Sequence, residues 1–202
     1  MTFALLVVAG YLAGSCPWGY WLPRLFRGED VRRHGSGSIG GSNVWRTYGR
    51  GLGIPVILLD ALKGFAPALA GVLVVSHLCG ILAGAAAMVG HARPIYLRFE
   101  KGGKMVATGG GVLLAVSPWV ALAAGGVWAV TFLLSRYTSL ASVASAIALP
   151  ILAVAFETPW PVVVFASITG AAVIFLHRSN LRRLRAGTEN RFRGLRRRTA
   201  QV

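Results

Sequence analysis

Long apolar blocks alternate with short polar segments along most of the chain, and seven such blocks stand out. A helix needs about 20 apolar residues to cross a bilayer, so each block predicts a membrane-spanning helix. The blocks are Thr2–Leu22, Gly51–Val75, Leu78–Val89, Met105–Val116, Val120–Ser135, Thr138–Phe156 and Val162–Leu176. The fourth gives only about 18 Å of helix and falls short of a full crossing. We therefore expect an all-α, polytopic membrane bundle of about seven helices, with residues 1–202 forming a single domain.

The composition agrees with this class, because 55% of the residues are hydrophobic and only 13% are charged. A soluble domain carries about 25% charged residues. The formal net charge of +15 could indicate nucleic-acid binding. The basic residues lie between the apolar blocks, however, which favours anionic lipid headgroups and anionic substrates over nucleic acid.

The basic residues also predict an orientation. Of the 21 lysines and arginines, 20 fall in four segments that seven crossings would place on one side of the membrane. Cytoplasmic loops carry the excess of Lys and Arg, so we expect the N-terminus outside and the C-terminus in the cytoplasm. The basic tail at 190–202 would then touch acidic lipids.

The segment from His34 to Arg50, called the first loop below, reads HGSGSIGGSNVWRTYGR. Its glycines allow backbone N–H groups to approach an anion closely. Ser36, Ser38 and Asn43 add hydroxyl and amide groups, and Arg46 adds a guanidinium suited to bidentate phosphate contact. The loop therefore predicts a phosphate cradle, and a solvated basic turn that touches lipid headgroups is the alternative.

The segment from His91 to Lys104, called the second loop below, ends in Gly102-Gly103-Lys104 just before an apolar block. Backbone N–H groups at a helix N-terminus, together with a lysine, can form a second anion site. The spacing is not that of a P-loop, so binding of a nucleoside triphosphate is not expected.

Lys63 lies inside an apolar block, three residues after Asp60, so the two share a helix face. Ionisable groups at that depth need a partner or a polar interior. The pair either locks the bundle as a structural ion pair or adds positive charge beneath the cradle. His91 and His177 fall at the predicted cytoplasmic ends of blocks, where each could be a hydrogen-bonded cap or a base. The histidines and acidic residues lack metal-ligand spacing, so no metal site is expected.

In chain order these motifs resemble those of the bacterial membrane acyltransferases that use acyl phosphate as donor and glycerol 3-phosphate as acceptor. The carrying residues are Gly35-Ser36-Gly37-Ser38-Ile39-Gly40-Gly41-Ser42-Asn43-Val44-Trp45-Arg46, Asp60-x-x-Lys63-Gly64, Gly90-His91 leading to Gly102-Gly103-Lys104 and Val106-Ala107-Thr108, Arg136-Tyr137-Thr138-Ser139 with Ser142, and His177-Arg178-x-Asn180 continuing to Arg183-Leu184 and Gly187-x-Glu189. The resemblance covers nearly the whole chain.

The resemblance implies a seven-span enzyme of the bacterial inner membrane with its active site on the cytoplasmic face. It would move a long acyl chain to the 1-hydroxyl of sn-glycerol 3-phosphate and release lysophosphatidic acid and phosphate, the first step of phospholipid synthesis. It would need neither coenzyme A, acyl carrier protein nor another cofactor. Its partners would be the two substrates and membrane lipids, and it would act as a monomer.

The same resemblance, together with phosphate chemistry, suggests roles for individual residues. The expected phosphate ligands are Ser36, Ser38, Asn43 and Arg46. Lys104, with the Gly102 and Gly103 amides, would hold the donor phosphate or the oxyanion. The acceptor would be positioned by Ser142, His177 and Asn180, and His91 and Lys63 complete the expected substrate-binding set. The proton of the attacking hydroxyl could pass to His177 or to the donor's own phosphate.

The chain departs from the family's usual pattern at a few positions. Ser38 stands where Asn is usual, Arg93 where an aromatic residue is usual, and Met105 where a small residue, usually Gly, is found. A transporter of an organic phosphate is the alternative function, because it would share the loops and the spans. A transporter of that kind is typically built from inverted repeats, and this sequence shows no repeat.

Overall fold

The computed structural model of the protein describes residues 1–192. Within that range the chain forms ten α-helices, two short 3-10 helices and no β-strand. The α-helices are α1 (Thr2–Gly14), α2 (Trp18–Arg27), α3 (Gly41–Tyr48), α4 (Arg50–Val74), α5 (His77–Ala92), α6 (Val106–Val116), α7 (Pro118–Ser135), α8 (Thr138–Ala155), α9 (Trp160–Leu176) and α10 (Arg178–Arg185). The expected all-α class is confirmed for these residues. Of the basic tail expected at 190–202, residues 193–202 lie outside the described part of the chain.

Large apolar side chains cover the outside of the bundle. Leu133, Leu134 and Trp160 are 73%, 80% and 75% exposed, and comparable residues occur along most of the long helices. A soluble protein rarely exposes continuous apolar surface on this scale. The distribution is that of helices whose outer faces contact lipid.

Five stretches are long and apolar enough to cross a membrane: Thr2–Arg27, Arg50–Val74, His77–Leu97, Pro118–Ser135 and Thr138–Ala155. A sixth candidate is formed by α9 and α10, which are bent relative to each other by 54°. Helix α6 has only 11 residues, which gives about 16 Å of helix. The described residues thus hold five or six candidate spans and one short apolar helix, where the sequence predicted about seven spans.

The first apolar block, expected as one span over Thr2–Leu22, lies within one candidate span that is built from two helices. Helix α1 ends at Gly14, and α2 begins after Pro17. Proline has no N–H to donate and its ring obstructs the preceding turn, so a helix does not continue through it without distortion. Helix α2 ends in the polar segment, with Arg24 and Arg27 in its last turn.

Glycines allow several helices to pack at backbone contact. A Cβ atom added at Gly10 or Gly14 of α1 would collide with the backbone of α5 at Ala83 and Ala87, and one added at Gly64 of α4 would collide with the backbone of α6. Small residues at four-residue spacing favour such close approach in membranes. The tight packing of α1, α4, α5 and α6 holds the connections between them close together.

The polar ends of the helices meet at one end of the bundle. Arg46 in α3 reaches Thr138 at the start of α8, and Lys104 before α6 reaches Asn180 in α10. The convergence of the polar segments that the sequence predicted is therefore present in the fold, and it places the candidate site.

Candidate functional site

The first loop is shaped by Asn43, which lies in α3 and is only 1% exposed. Its Oδ1 accepts the Ser36 N–H at 2.9 Å, and its Nδ2 donates to the carbonyl oxygens of His34 and Ser38 at 3.1 and 2.9 Å. The amide group is therefore used within the loop. These contacts favour a role in shaping the loop over the expected role as a phosphate ligand.

Helix α3 begins inside the first loop, with Gly40 as its N-cap. The Ser38 hydroxyl accepts the Gly40 N–H at 3.2 Å, which turns the chain into the helix. A helix within this loop was not expected from the sequence. Its consequence is that Arg46, one turn and a half further on, projects toward α8.

The second loop closes back on the end of α5. The Gly102 and Gly103 amides donate to the carbonyl oxygens of Ala92 and His91 at 2.9 and 3.0 Å. Both N–H groups are therefore engaged with the backbone, contrary to the expectation that they hold phosphate or an oxyanion. The ring of His91 occupies the space where a Gly103 side chain would lie. His91 thus supports the turn that delivers Lys104.

A polar cavity of about 300 Å³ lies between these elements. Residues from the two loops, from α3 to α8 and from α10 reach it or its rim, as does His177 between α9 and α10. Nine of the expected site residues line it: Ser36, Ser38, Asn43, Arg46, His91, Lys104, Ser142, His177 and Asn180.

Lys63 is not among the lining residues, because its Nζ is held inside the bundle. It lies 2.8 Å from Asp60 Oδ1 and donates to the Cys16 carbonyl oxygen at 2.8 Å. His91 Nδ1 lies 3.7 Å from the same Asp60 oxygen. The structure therefore favours the interpretation of Asp60 and Lys63 as a structural pair, which ties α4 to the break between α1 and α2.

A series of polar contacts connects Lys104 with Asn180 and Glu189, which lie near the end of the described sequence. Lys104 Nζ donates to Asn180 Oδ1 at 2.6 Å, and Asn180 Nδ2 donates to Glu189 Oε1 at 2.7 Å. The same Glu189 oxygen accepts the Ser139 hydroxyl at 3.0 Å, while Oε2 pairs with Arg183 at 2.7 Å. Glu189 therefore fixes the amide orientation of Asn180, and Asn180 in turn holds Lys104 at the cavity.

His177 lies just after the end of α9, with its Nδ1 2.8 Å from the carbonyl oxygen of Val173. A carbonyl only accepts, so Nδ1 carries the proton and Nε2 is left with its lone pair. Burial, followed by the charge of Lys104, lowers the pKa of His177 to about 4. The ring is therefore neutral at neutral pH and can accept a proton at Nε2.

The cavity carries more positive than negative charge at its wall. Burial lowers the pKa of Lys104 to about 8, and the nearby charges of Arg183, Lys101 and Arg46 act in the same direction, against Glu189. Burial likewise lowers the pKa of Arg46, although a guanidinium stays charged. Cations that are buried near one another in this way favour an anion between them.

A second, apolar groove of about 120 Å³ adjoins the polar cavity. The two share Val106, Trp128 and Ser142 as a common wall. The Trp128 indole donates to the Ser142 hydroxyl at 3.2 Å, and that hydroxyl donates to the Thr138 carbonyl at 2.7 Å. A molecule with an anionic head and an apolar tail could therefore occupy both spaces at once.

Three residues of this site had no role assigned from the sequence: Glu189, Thr138 and Trp128. Glu189 and Thr138 stood within recognised motifs, but their partners lie far away in the chain, so no local pattern pointed to their function. Trp128 lies in an apolar block where a tryptophan is ordinarily a lipid-facing or core residue. Among the described residues, no group of His, Cys, Asp and Glu is placed to hold a metal ion.

The chain resembles proteins of known activity over almost its full length. The family model "Glycerol-3-phosphate acyltransferase" matches residues 4–187. A protein of that name from Synechococcus sp. (strain JA-2-3B'a(2-13)) is 44% identical, covering 95% of this chain and 95% of its own. Another, from Roseiflexus sp. (strain RS-1), is 45% identical and covers 94% of this chain and 95% of its own.

Solved structures give the same result. The crystal structure of PlsY (YgiH), an integral membrane glycerol 3-phosphate acyltransferase in its glycerol 3-phosphate form, is 40% identical, covers 96% of each chain and has a TM-score of 0.91. Its lysophosphatidic acid form is 39% identical and has a TM-score of 0.88.

Proposed function

The chain belongs to the glycerol-3-phosphate acyltransferase family, and we propose that it transfers a long acyl chain from acyl phosphate to the 1-hydroxyl of sn-glycerol 3-phosphate. The products are lysophosphatidic acid and inorganic phosphate. The observation that carries this proposal is the polar cavity with two cationic side chains, Arg46 and Lys104, beside an apolar groove that shares its wall. Family membership favours this enzyme over the phosphate transporter that the sequence left open.

The cavity suits a reaction between two phosphorylated molecules. Acyl phosphate is already activated, since phosphate is a good leaving group, so the protein must mainly bring the reactants together and stabilise growing negative charge. Two anions would repel each other in water. Arg46 and Lys104, with the hydroxyls of Ser36 and Ser38, offset that repulsion. The acyl tail of the donor would lie in the apolar groove.

The reaction forms one bond and breaks one. The acceptor hydroxyl oxygen attacks the donor carbonyl carbon, and the bond from that carbon to the phosphate oxygen then breaks, with the electron pair leaving on phosphate. Lys104, held by Asn180, is placed to stabilise the tetrahedral oxyanion or the departing phosphate. The hydroxyl proton has two available acceptors, Nε2 of His177 and an oxygen of the donor's phosphate. Ser142 would orient the acceptor from the cavity wall, and Asn180, whose amide is engaged by Lys104 and Glu189, would do so through Lys104.

Asn43, Gly102, Gly103 and His91 act in this proposal through the loops, and Lys63 acts through the helix bundle, instead of by contact with ligand. The polar groups of Asn43, Gly102, Gly103 and Lys63 described above are engaged with the protein, and the ring of His91 packs against the Gly103 backbone. Their replacement should therefore change loop geometry, and through it substrate affinity.

We also propose seven crossings of a bacterial inner membrane by a monomer, with the N-terminus outside and the cavity on the cytoplasmic face. The support is the alternation of helix ends. The N-terminal half of α4, the end of α5, the start of α6, the C-terminal half of α7, the start of α8 and the residue after α9 all reach the cavity. Such alternation requires α6 to cross despite its length. Cysteine labelling at exposed Lys101 and Glu157 in intact cells tests this, because the two should be accessible from opposite sides.

The deciding experiment measures lysophosphatidic acid formation by the purified enzyme in detergent, with acyl phosphate compared against acyl coenzyme A. We expect turnover with acyl phosphate alone. Arg46→Ala and Lys104→Ala should abolish it, whereas Arg50→Ala and Lys101→Ala, exposed residues of the same loops, should retain it. Activity with acyl coenzyme A only would overturn the proposed donor, and near-normal rates in the first two variants would overturn the residue roles.

The acceptor of the hydroxyl proton can be tested separately with His177→Ala. A loss of kcat by about two orders of magnitude or more would match loss of a general base. Retention of most of kcat would assign the proton to the donor's phosphate.

A further inference from the structure

Met105 adopts a backbone conformation that residues other than glycine rarely adopt. It follows Lys104 directly and forms the N-cap of α6, with φ 66° and ψ −3°. This is the left-handed region, which glycine enters without penalty and most other residues rarely occupy. A strained non-glycine residue persists only where its surroundings or its side chain hold it there, so such an outlier invites a functional explanation.

The side chain of Met105 lines the apolar groove. It is half-buried and packs on the core formed by α4 to α9. Gly109 and Leu113 follow it at four-residue intervals along α6 and also line the groove. Gly109 has no side chain, so Met105 and its neighbour Val106 contribute the bulk at this end of the α6 wall.

The position of Met105 along the groove follows from that of its neighbour, Val106. Val106 lines both the polar cavity and the groove, so Met105 lies where the two spaces meet. With the phosphate of the donor in the cavity, the first carbons of the acyl chain would pass this point. Carbons farther along the acyl chain would lie deeper in the groove, toward Leu149 and Thr169.

We propose that Met105 is a specificity-determining residue for the acyl donor. Its side chain narrows the groove beside the reacting carbonyl and selects straight-chain acyl groups over those with a branch in the first few carbons. This inference rests on the proposed function, since it assumes acyl phosphate as the donor. A single methyl group in an apolar pocket can change kcat/KM by about tenfold or more.

The test is a competition between hexadecanoyl phosphate and 4-methylhexadecanoyl phosphate, read as a ratio of kcat/KM. We expect wild type to prefer the straight chain by about tenfold. Met105→Gly and Met105→Ala should lower that preference at least about threefold, and Met105→Leu, which keeps the bulk, should retain it. A ratio that stays the same in the Gly and Ala variants would overturn the inference.

Two controls separate the side chain from the backbone. Glu157 is another left-handed non-glycine residue, with φ 50°, on an exposed turn away from the groove. Glu157→Gly should raise thermal stability without changing the ratio, and Met105→Ala should change the ratio without relieving the backbone. If a stability gain in Glu157→Gly were accompanied by an altered ratio, strain relief would explain the effect and the inference would fail.

The outcome of the competition experiment also distinguishes this inference from the proposed function on which it rests. Wild-type enzyme that fails to use hexadecanoyl phosphate at all would refute the proposed donor. Wild-type turnover with an unaltered ratio in the Met105 variants would refute only the role of Met105.

Discussion

Alkaline pH should inactivate the enzyme by removing the charge of one lysine. Lys104 contacts Asn180 inside the polar cavity, and burial lowers its pKa from 10.5 to about 8. Because the pKa is lowered, the ammonium form is complete well below pH 8 and is lost as the pH rises through that value. An exposed lysine would keep its charge to about pH 10.

The size of the effect follows from the titration. Lowering the pKa from 10.5 to about 8 corresponds to about 3 kcal/mol against the charged form. About nine-tenths of the free enzyme then carries the charge at pH 7, and about one-tenth at pH 9. If the phosphate site needs that charge, kcat/KM for glycerol 3-phosphate should fall about tenfold between those two values. The substrate phosphates, with a second pKa near 6, do not titrate in this range.

The assay is the initial rate of lysophosphatidic acid formation at low substrate concentration, measured from about pH 6 to about pH 10 for wild type and Lys104→Arg. The guanidinium stays charged throughout, so the variant should be slower but should lack the alkaline decline. A wild-type profile that is level to pH 10, or the same decline in Lys104→Arg, would refute the reasoning.

Other predictions concern the frame around the cavity. Gly64→Ala should lower the free energy of unfolding by about 1–3 kcal/mol or more, because the added methyl collides with α6. The loss is read as a lower melting temperature in detergent. Glu189→Gln should lower the free energy of unfolding by about 2 kcal/mol and should lower kcat strongly, because Arg183 loses its charged partner and Asn180 can rotate. Arg32→Ala should raise KM for both substrates by up to about fivefold, since Arg32, just before the first loop, pairs with Glu100 of the second loop.

Matched variants check each of these. Gly126→Ala lies in open space and should leave the melting temperature unchanged. Glu189→Asp keeps the charge and should recover part of kcat. Arg33→Ala, next to Arg32 but exposed, should leave both KM values alone. Equal effects in a variant and its control would contradict the explanation given for that variant.

Sequence patterns were sufficient for the parts of the fold that depend on local properties. Apart from the first block, apolar blocks predicted the long helices within a few residues, because burial in lipid demands long apolar segments whatever the packing. The glycine- and lysine-bearing loops, and with them six of the lining residues, were recognisable for a similar reason: phosphate binding needs donors and cations close together in the chain. The other three expected lining residues, Ser142, His177 and Asn180, came from the family resemblance.

What the sequence could not reveal depends on distant contacts. Asn43 and the Gly102 and Gly103 amides have the donors that phosphate requires, but in the fold these donors form hydrogen bonds with nearby backbone carbonyl oxygens. Glu189 looks like an ordinary acidic residue in a basic segment until Ser139, fifty residues earlier, is seen to donate to it. Such assignments need the tertiary structure, since no spacing rule relates residues so far apart.

The contact between Lys104 and Asn180, with Glu189 behind it, has a consequence for biosynthesis. Asn180 and Glu189 are translated long after Lys104 itself, when the other walls of the cavity have already been made. A nascent chain therefore stays catalytically silent through most of its insertion. Activity begins only when this last turn docks, so a prematurely terminated chain would occupy the membrane without making lipid.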